Sequence, residues 1–299
     1  MTSKPSKTLK GLLLMVGSAG AFCVMASLAK YASFLDPYRT TFFRFIIGLG
    51  LLGVAALFGK PKLRFVKGWL LFSRGLTGSA AVFFLFLSIM NLGIAKGTIL
   101  SYSFPIFASI MSVLFFKERM GVLKWGAIAV AFVGIYLLAG EGNGGVTTFG
   151  TFGKYEALAL FGAVLSAISI VSIKRLHETD STYAIFFAQC VIGIWLMIVP
   201  ANLAPRPIGC FGGILLLGIG IFATVGQLLL TESYRHLSVS SGSILSVLVP
   251  VLNFFAGVVI FHEHVSFWSV VGSLLILTSC ITVTVKDHSG GGKAGVVNA

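Results

Sequence analysis

Long apolar runs alternate along this chain with short clusters of charge, proline and glycine. The runs lie near residues 11–31, 38–58, 68–90, 96–116, 122–139, 156–174, 182–200, 211–232, 238–260 and 266–285. Each is close to the roughly 20 residues that an α-helix needs to cross a bilayer. They lack the period-2 alternation of a barrel strand and exceed its roughly 10 residues. The pattern predicts an all-α integral membrane protein with ten transmembrane helices. A chain of 299 residues then has no room for a large soluble domain.

The runs also repeat. Slid against itself by 145 residues, the chain matches Gly97, Ile99, Leu100, Ser101, Pro105, Val113, Phe116 and Glu118 with Gly242, Ile244, Leu245, Ser246, Pro250, Val258, Phe261 and Glu263. The same offset pairs Tyr38, Phe42, Ile47 and Gly48 with Tyr183, Phe187, Ile192 and Gly193, and Leu13, Gly17 and Ser27 with Leu158, Gly162 and Ser172. Five spans per half is an odd number, so the second half enters the bilayer upside down relative to the first. The predicted organisation is a cytoplasmic segment 1–10, a first five-helix repeat 11–140, a second, inverted repeat 155–285 and a flexible cytoplasmic tail 286–299. Residues 1–10 and the run after them mimic a signal peptide, but span 1 has its counterpart in span 6 and is expected to be retained.

Composition agrees with a lipid environment: 57% hydrophobic and 10% charged residues leave too little polar surface for a water-soluble globule. The net charge of +13 does not point to nucleic acid, because the basic residues sit at the ends of apolar runs instead of along one face. With the N-terminus inside, fifteen lysines and arginines fall at the inner ends, Lys10, Lys67, Lys174, Arg175 and Arg235 among them. Only five, Lys30, Arg39, Lys96, Lys154 and Arg206, fall at the outer ends. That asymmetry places both termini in the cytoplasm, in a cell (inner) membrane. Cys23, Cys190, Cys210 and Cys280 have neither metal nor disulfide spacing and read as apolar packers.

The segment from Gly97 through Ser101, Tyr102, Ser103 and Pro105 to Phe116-Lys117-Glu118-Arg119, followed by Gly126 and Gly134, resembles the drug/metabolite transporter superfamily, EamA branch. The segment from Gly242 through Pro250 to Glu263 is similar to a second copy of that signature. Arg74-Gly75 and the stretch Leu230-Thr231-Glu232-Ser233-Tyr234-Arg235 also resemble family patterns, and the likeness runs over roughly residues 10–285. The resemblance implies a ten-helix inverted-repeat carrier working by alternating access, its cavity lined by spans 1, 3, 4, 6, 8 and 9. It does not select among the amino acids, nucleotide derivatives, sugars and drugs that such carriers move. Two features depart from the family: Glu232 after the threonine of span 8, and His262-Glu263-His264 where a lysine and an arginine usually flank the glutamate.

Charges at membrane depth cost about 3 kcal/mol and so demand a reason. Arg44 and Arg74 each lie about 9 Å into a span. A guanidinium there can grip a carboxylate or phosphate with two prongs, or snorkel back to the headgroups. Glu232 can pair with Arg235 one turn on, or face the cavity and couple protons. Glu118 and Glu263 are expected to cap the helices that follow them, spans 5 and 10. His262 and His264 lack a third ligand, so no metal is expected. Pro105 and Pro250 should kink spans 4 and 9 beside the cavity. Ser101, Tyr102, Ser103, Ser246 and Asn253 near them, with Gln227, are the expected hydrogen-bonding groups for a ligand; Gln189 is a further buried amide that needs a partner.

These features predict a secondary transporter for a small organic metabolite, an amino acid or related carboxylate or zwitterion. A nucleoside or S-adenosylmethionine type of cargo is the alternative within transporters, and a membrane-embedded enzyme or a non-transporting structural protein the alternative outside them. No cofactor is expected, and no Gly-x-x-x-x-Gly-Lys-Ser/Thr loop is present for ATP. The expected partners are the small-molecule substrate and the lipid bilayer; proton coupling, exchange and homodimerisation stay open.

Overall fold

The computed structural model describes residues 7–59, 63–116, 122–139, 153–203, 208–237, 242, 245–246, 248–263 and 266–290. Its helices are α1 (Lys7–Tyr31), α2 (Pro37–Leu57), α3 (Gly68–Leu92), α4 (Ile94–Ser101), α5 (Phe104–Phe116), α6 (Val122–Ala139), α7 (Lys154–Leu176), α8 (Thr182–Asn202), α9 (Cys210–His236), α10 (Leu248–Val259) and α11 (Phe267–Gly290). The described residues contain no strand. Six helices, α1, α2, α3, α7, α8 and α9, are long and apolar enough to cross a membrane, and shorter apolar stretches lie in α6, α10 and α11. Large apolar side chains such as Leu13, Trp195, Ile214 and Phe255 stand exposed on the outside. Apolar surface on that scale belongs in lipid, and the chain is a multi-pass membrane protein.

Local chemistry sets the helix ends. Asp36 has extended backbone and its Oδ1 accepts from the Tyr38 N–H at 2.8 Å, with Pro37 opening α2 where its missing N–H costs nothing. At the equivalent position of the second half, Ser181 Oγ accepts from the Ala184 N–H at 3.2 Å to start α8. Gly93 takes φ +89° between α3 and α4, a turn that a side chain would strain.

Span 4 departs from the expected single kinked helix. It is two helices, α4 and α5, parted at Tyr102 and Ser103. The ring of Pro105 would clash with the carbonyl of Ser101 in a continuous helix, so α4 stops there and the proline becomes the second residue of the next helix. Ser103 Oγ donates to the Leu100 carbonyl at 2.7 Å and closes the break. Pro250 is the third described residue of α10, and residue 247 before that helix lies outside the described residues. At the chain ends, α1 already begins at Lys7 and α11 runs through residues 286–290, the start of the expected tail. Residues 291–299, like Glu118 and His264, lie outside the described residues.

Contacts between the halves obey the 145-residue equivalence. Helix α1 packs along α9 and α3 along α7, and exchange of the halves turns one pair into the other. Individual glycines repeat this. A methyl on Gly75 would strike the Ile192 side chain, and one on the equivalent Gly220 would strike Ile47, the equivalent of Ile192. Gly17 faces Leu229 as Gly162 faces Phe84, again equivalent pairs. Helices α2 and α8 cross at Gly48 and Gly193, which occupy one repeat position, with the Phe45 ring against Gly193 and Phe186 and Cys190 against Gly48. Missing side chains let these backbones approach closely where lipid gives no hydrophobic drive to association.

Candidate functional site

At the centre of these contacts lies a cavity of about 90 Å³, room for several waters or part of a small ligand. Its polar lining is Arg44 from α2, Arg74 from α3, Ser101 and Tyr102 at the end of α4, Ser166 and Ser169 from α7, Gln189 from α8, Gln227 from α9, and Ser246. Apolar walls come from Phe22 and Met25 of α1, Val82 and Leu85 of α3, and Phe104, Ile170 and Leu230. Five pairs of lining residues are repeat equivalents: Met25 and Ile170, Arg44 and Gln189, Val82 and Gln227, Leu85 and Leu230, Ser101 and Ser246. The cavity therefore sits where the two halves meet.

Arg74 is 2% exposed. Its Nη2 donates to Gln189 Oε1 at 3.2 Å, while Nε and Nη1 have no hydrogen-bond partner. The guanidinium lies one turn along its own helix against Gly78, where any side chain would overlap Nη1. Gln189 is held in turn, because its carbonyl accepts from Ser79 Oγ at 2.9 Å. Arg44 is 4% exposed, with Nη1 also unpartnered. Its guanidinium carbon lies 5.6 and 5.7 Å from the ring centres of Phe45 and Phe86. Neither arginine snorkels to the surface. No carboxylate occurs among the described residues lining the cavity. Two buried guanidiniums thus keep unpartnered N–H groups in a polar space, an arrangement that a bound anion would satisfy.

Of the residues singled out from sequence, Arg74, Ser101, Tyr102, Gln227 and Ser246 meet at the cavity. Ser103 instead seals the α4–α5 break. Asn253 is buried on α10 with both amide atoms unpartnered, outside the cavity wall. Glu232 is not brought to the cavity: it accepts from Thr182 Oγ1 at 2.7 Å and lies 3.8 Å from Arg235 and 3.4 Å from His236. Spans 2 and 7 join the lining, beyond the six spans expected from the resemblance, and bring Arg44 and Gln189 with them. Ser166 and Ser169 carried no sequence signal, since serine is common in packed membrane helices.

Glu263 caps a different helix from the one expected. Its Oε1 and Oε2 accept from the Ile94 and Ala95 N–H groups at 2.7 and 3.1 Å, and Lys30 stands 3.5 Å away. A second-half carboxylate thus closes the start of first-half α4, the broken helix that delivers Ser101 to the cavity. At the opposite end, Asp180 accepts from the Val66 N–H at 2.7 Å. Beside Glu232, His177 Nε2 donates to the Thr231 carbonyl at 2.7 Å. Burial pushes the His177 imidazole below its ordinary value, Arg235 and Lys174 add to that, and the Thr231 carbonyl and Glu232 oppose it.

Fold and cavity together describe a polytopic membrane protein with two buried arginines at an internal cavity. The chain belongs to the EamA-like transporter family, whose pattern matches residues 9–140 and again 153–285. It is a transporter and not an enzyme. The chain is 28% identical to the pseudopaline exporter CntI of Pseudomonas aeruginosa, over 92% of this chain and 95% of that one. It is 22% identical to mouse solute carrier family 35 member G1, over 95% and 80%, and 24% identical to a riboflavin transporter of Vibrio cholerae, over 76% of each. A solved crystal structure shares the fold, with a TM-score of 0.65 at 18% identity, covering 94% of this chain and 99% of that one.

Proposed function

We propose that this protein is a secondary transporter that carries a small carboxylate-bearing metabolite, an amino acid or a related compound, by alternating access. One observation carries the reading: Arg74 holds two unpartnered nitrogens in a cavity whose described lining contains no carboxylate. A carboxylate would accept a charge-assisted hydrogen bond from an unpartnered Arg74 nitrogen, and Phe22, Tyr102 and Phe104 would wall the rest of the cargo. Relatives with named cargo move chemically unlike compounds, so the site chemistry decides the class.

In this reading the chain makes ten spans, α4 with α5 forming the fourth, in two inverted five-helix repeats over 11–140 and 155–285. The exchange of glycine contacts between halves supports that arrangement. Both termini face the cytoplasm across the inner membrane, as the fifteen-to-five distribution of basic residues favours. Glu232, tied to Thr182 and Arg235 away from the cavity, has no part in proton coupling.

Solute counterflow in proteoliposomes tests the reading, with labelled amino acids and other small carboxylates each compared with its methyl ester. The free acids are expected to accumulate transiently and the esters not. Accumulation of esters and acids alike, or of nucleosides alone, would overturn it.

A further inference from the structure

Resting on the carboxylate reading, we infer that the cargo carries two separate anionic groups, one held by Arg74 and the other by Arg44. The two arginines meet one cavity from neighbouring helices, and each keeps unpartnered nitrogen there: Nε and Nη1 of Arg74, Nη1 of Arg44. A single carboxylate at Arg74 leaves the second guanidinium buried and uncompensated in a membrane interior.

The halves of the protein show that the second charge is an addition. The repeat position of Arg44 is filled in the second half by Gln189, an uncharged amide that also lines the cavity. Gln189 also spends its Oε1 on Arg74, so it orients the first guanidinium and offers Arg44 no counter-charge. Phe45 and Phe86 flank the Arg44 guanidinium at 5.6 and 5.7 Å, which fixes its position without neutralising it. The remaining polar lining, Ser101, Tyr102, Ser166, Ser169, Gln227 and Ser246, is uncharged and suits the polar part of a cargo between two anionic ends.

Matched pairs that differ only by carboxylate against carboxamide test this: glutamate and glutamine, aspartate and asparagine, succinate and succinamate. Binding is read by titration calorimetry on the full-length protein in nanodiscs. The expected result is that the two-carboxylate member of at least one pair binds tenfold or more tightly than its monoamide. Arg44→Gln should collapse that preference to less than threefold, Arg44→Lys should retain it, and Arg74→Gln should weaken both members. An unchanged melting temperature without ligand shows that a variant is folded. If wild type binds both members of every pair equally, or if Arg44→Gln weakens them by one common factor, the two-anion inference is overturned while the carboxylate reading stands. If no acid of any pair binds, both fall.

Discussion

The two halves of this protein agree where they build shape and differ in the side chains they bring to the cavity. Gly75 and Gly220, Gly17 and Gly162, and Gly48 and Gly193 occupy equivalent positions and make equivalent close approaches. Ser101 and Ser246 face the cavity as a pair, as do Leu85 and Leu230. Three polar positions break the rule: Arg74 has Ile219 as its counterpart, Arg44 has Gln189, and Gln227 has Val82. A two-fold-like frame needs the same residues twice. Both arginines of the cavity come from the first half, as the proposed asymmetric, anionic cargo would require.

Writing one half's residue into the other sharpens the contrast. Arg74→Ile installs the residue of the second half and removes the two unpartnered donors. Charge-assisted hydrogen bonds are worth about 1.5–3 kcal/mol each, so transport of the carboxylate cargo should fall about 100-fold with insertion and melting temperature retained. Gly78→Ala installs the counterpart Ala223. Its methyl takes the space of the Arg74 guanidinium and should lower transport about tenfold through weaker binding. Cargo affinity by calorimetry checks it, and an unchanged affinity would show that Arg74 finds another seat.

The matched positions should behave alike. Gly75→Ala meets Ile192 and the Ala188 carbonyl oxygen, and Gly220→Ala meets Ile47. Overpacking of this kind costs about 1–3 kcal/mol, and both variants should lose a similar amount of thermal stability in detergent. A loss confined to one half would break the equivalence.

The smallest effect lies at a further asymmetric position, where His177 stands in place of Ala32. Burial favours the neutral imidazole, so its folded-state proton affinity lies below that of the unfolded chain. Its stability is therefore full above the ordinary value of 6.5 and is lost progressively as pH falls below it. The melting temperature should decline slightly on acidification, and His177→Ala should flatten that part of the profile.

Most of the frame was legible in the sequence because helix length, basic flanks and the 145-residue offset are each written in residue type alone. The starts of α2, α3, α7, α8 and α9 fall within two residues of the expected spans. The α4–α5 break was legible only as a kink, since a proline marks the place but not whether the helix bends or stops. Of the site, Arg74, Ser101, Tyr102, Gln227 and Ser246 were found because each is polar on a span that the resemblance turns inward. Nothing in the sequence turns Arg44 and Gln189 inward, because α2 and α8 carry no inward signature; the crossing of these helices near Gly48 and Gly193 brings both to the cavity. Glu232 drew attention as a charge near a cavity helix; its pairing with Arg235 one turn on is legible in the spacing, whereas Thr182, which reaches it from α8, is not. The same limit hid the reach of Glu263 to α4.

In the proposed transport cycle Arg74 receives a carboxylate cargo in transit. Counterflow of a labelled carboxylate panel through wild type and Arg74→Ile, reconstituted side by side at equal density, tests it most directly. The account predicts transient accumulation of a carboxylate by wild type and its loss in the folded variant. Equal accumulation by both proteins would contradict it.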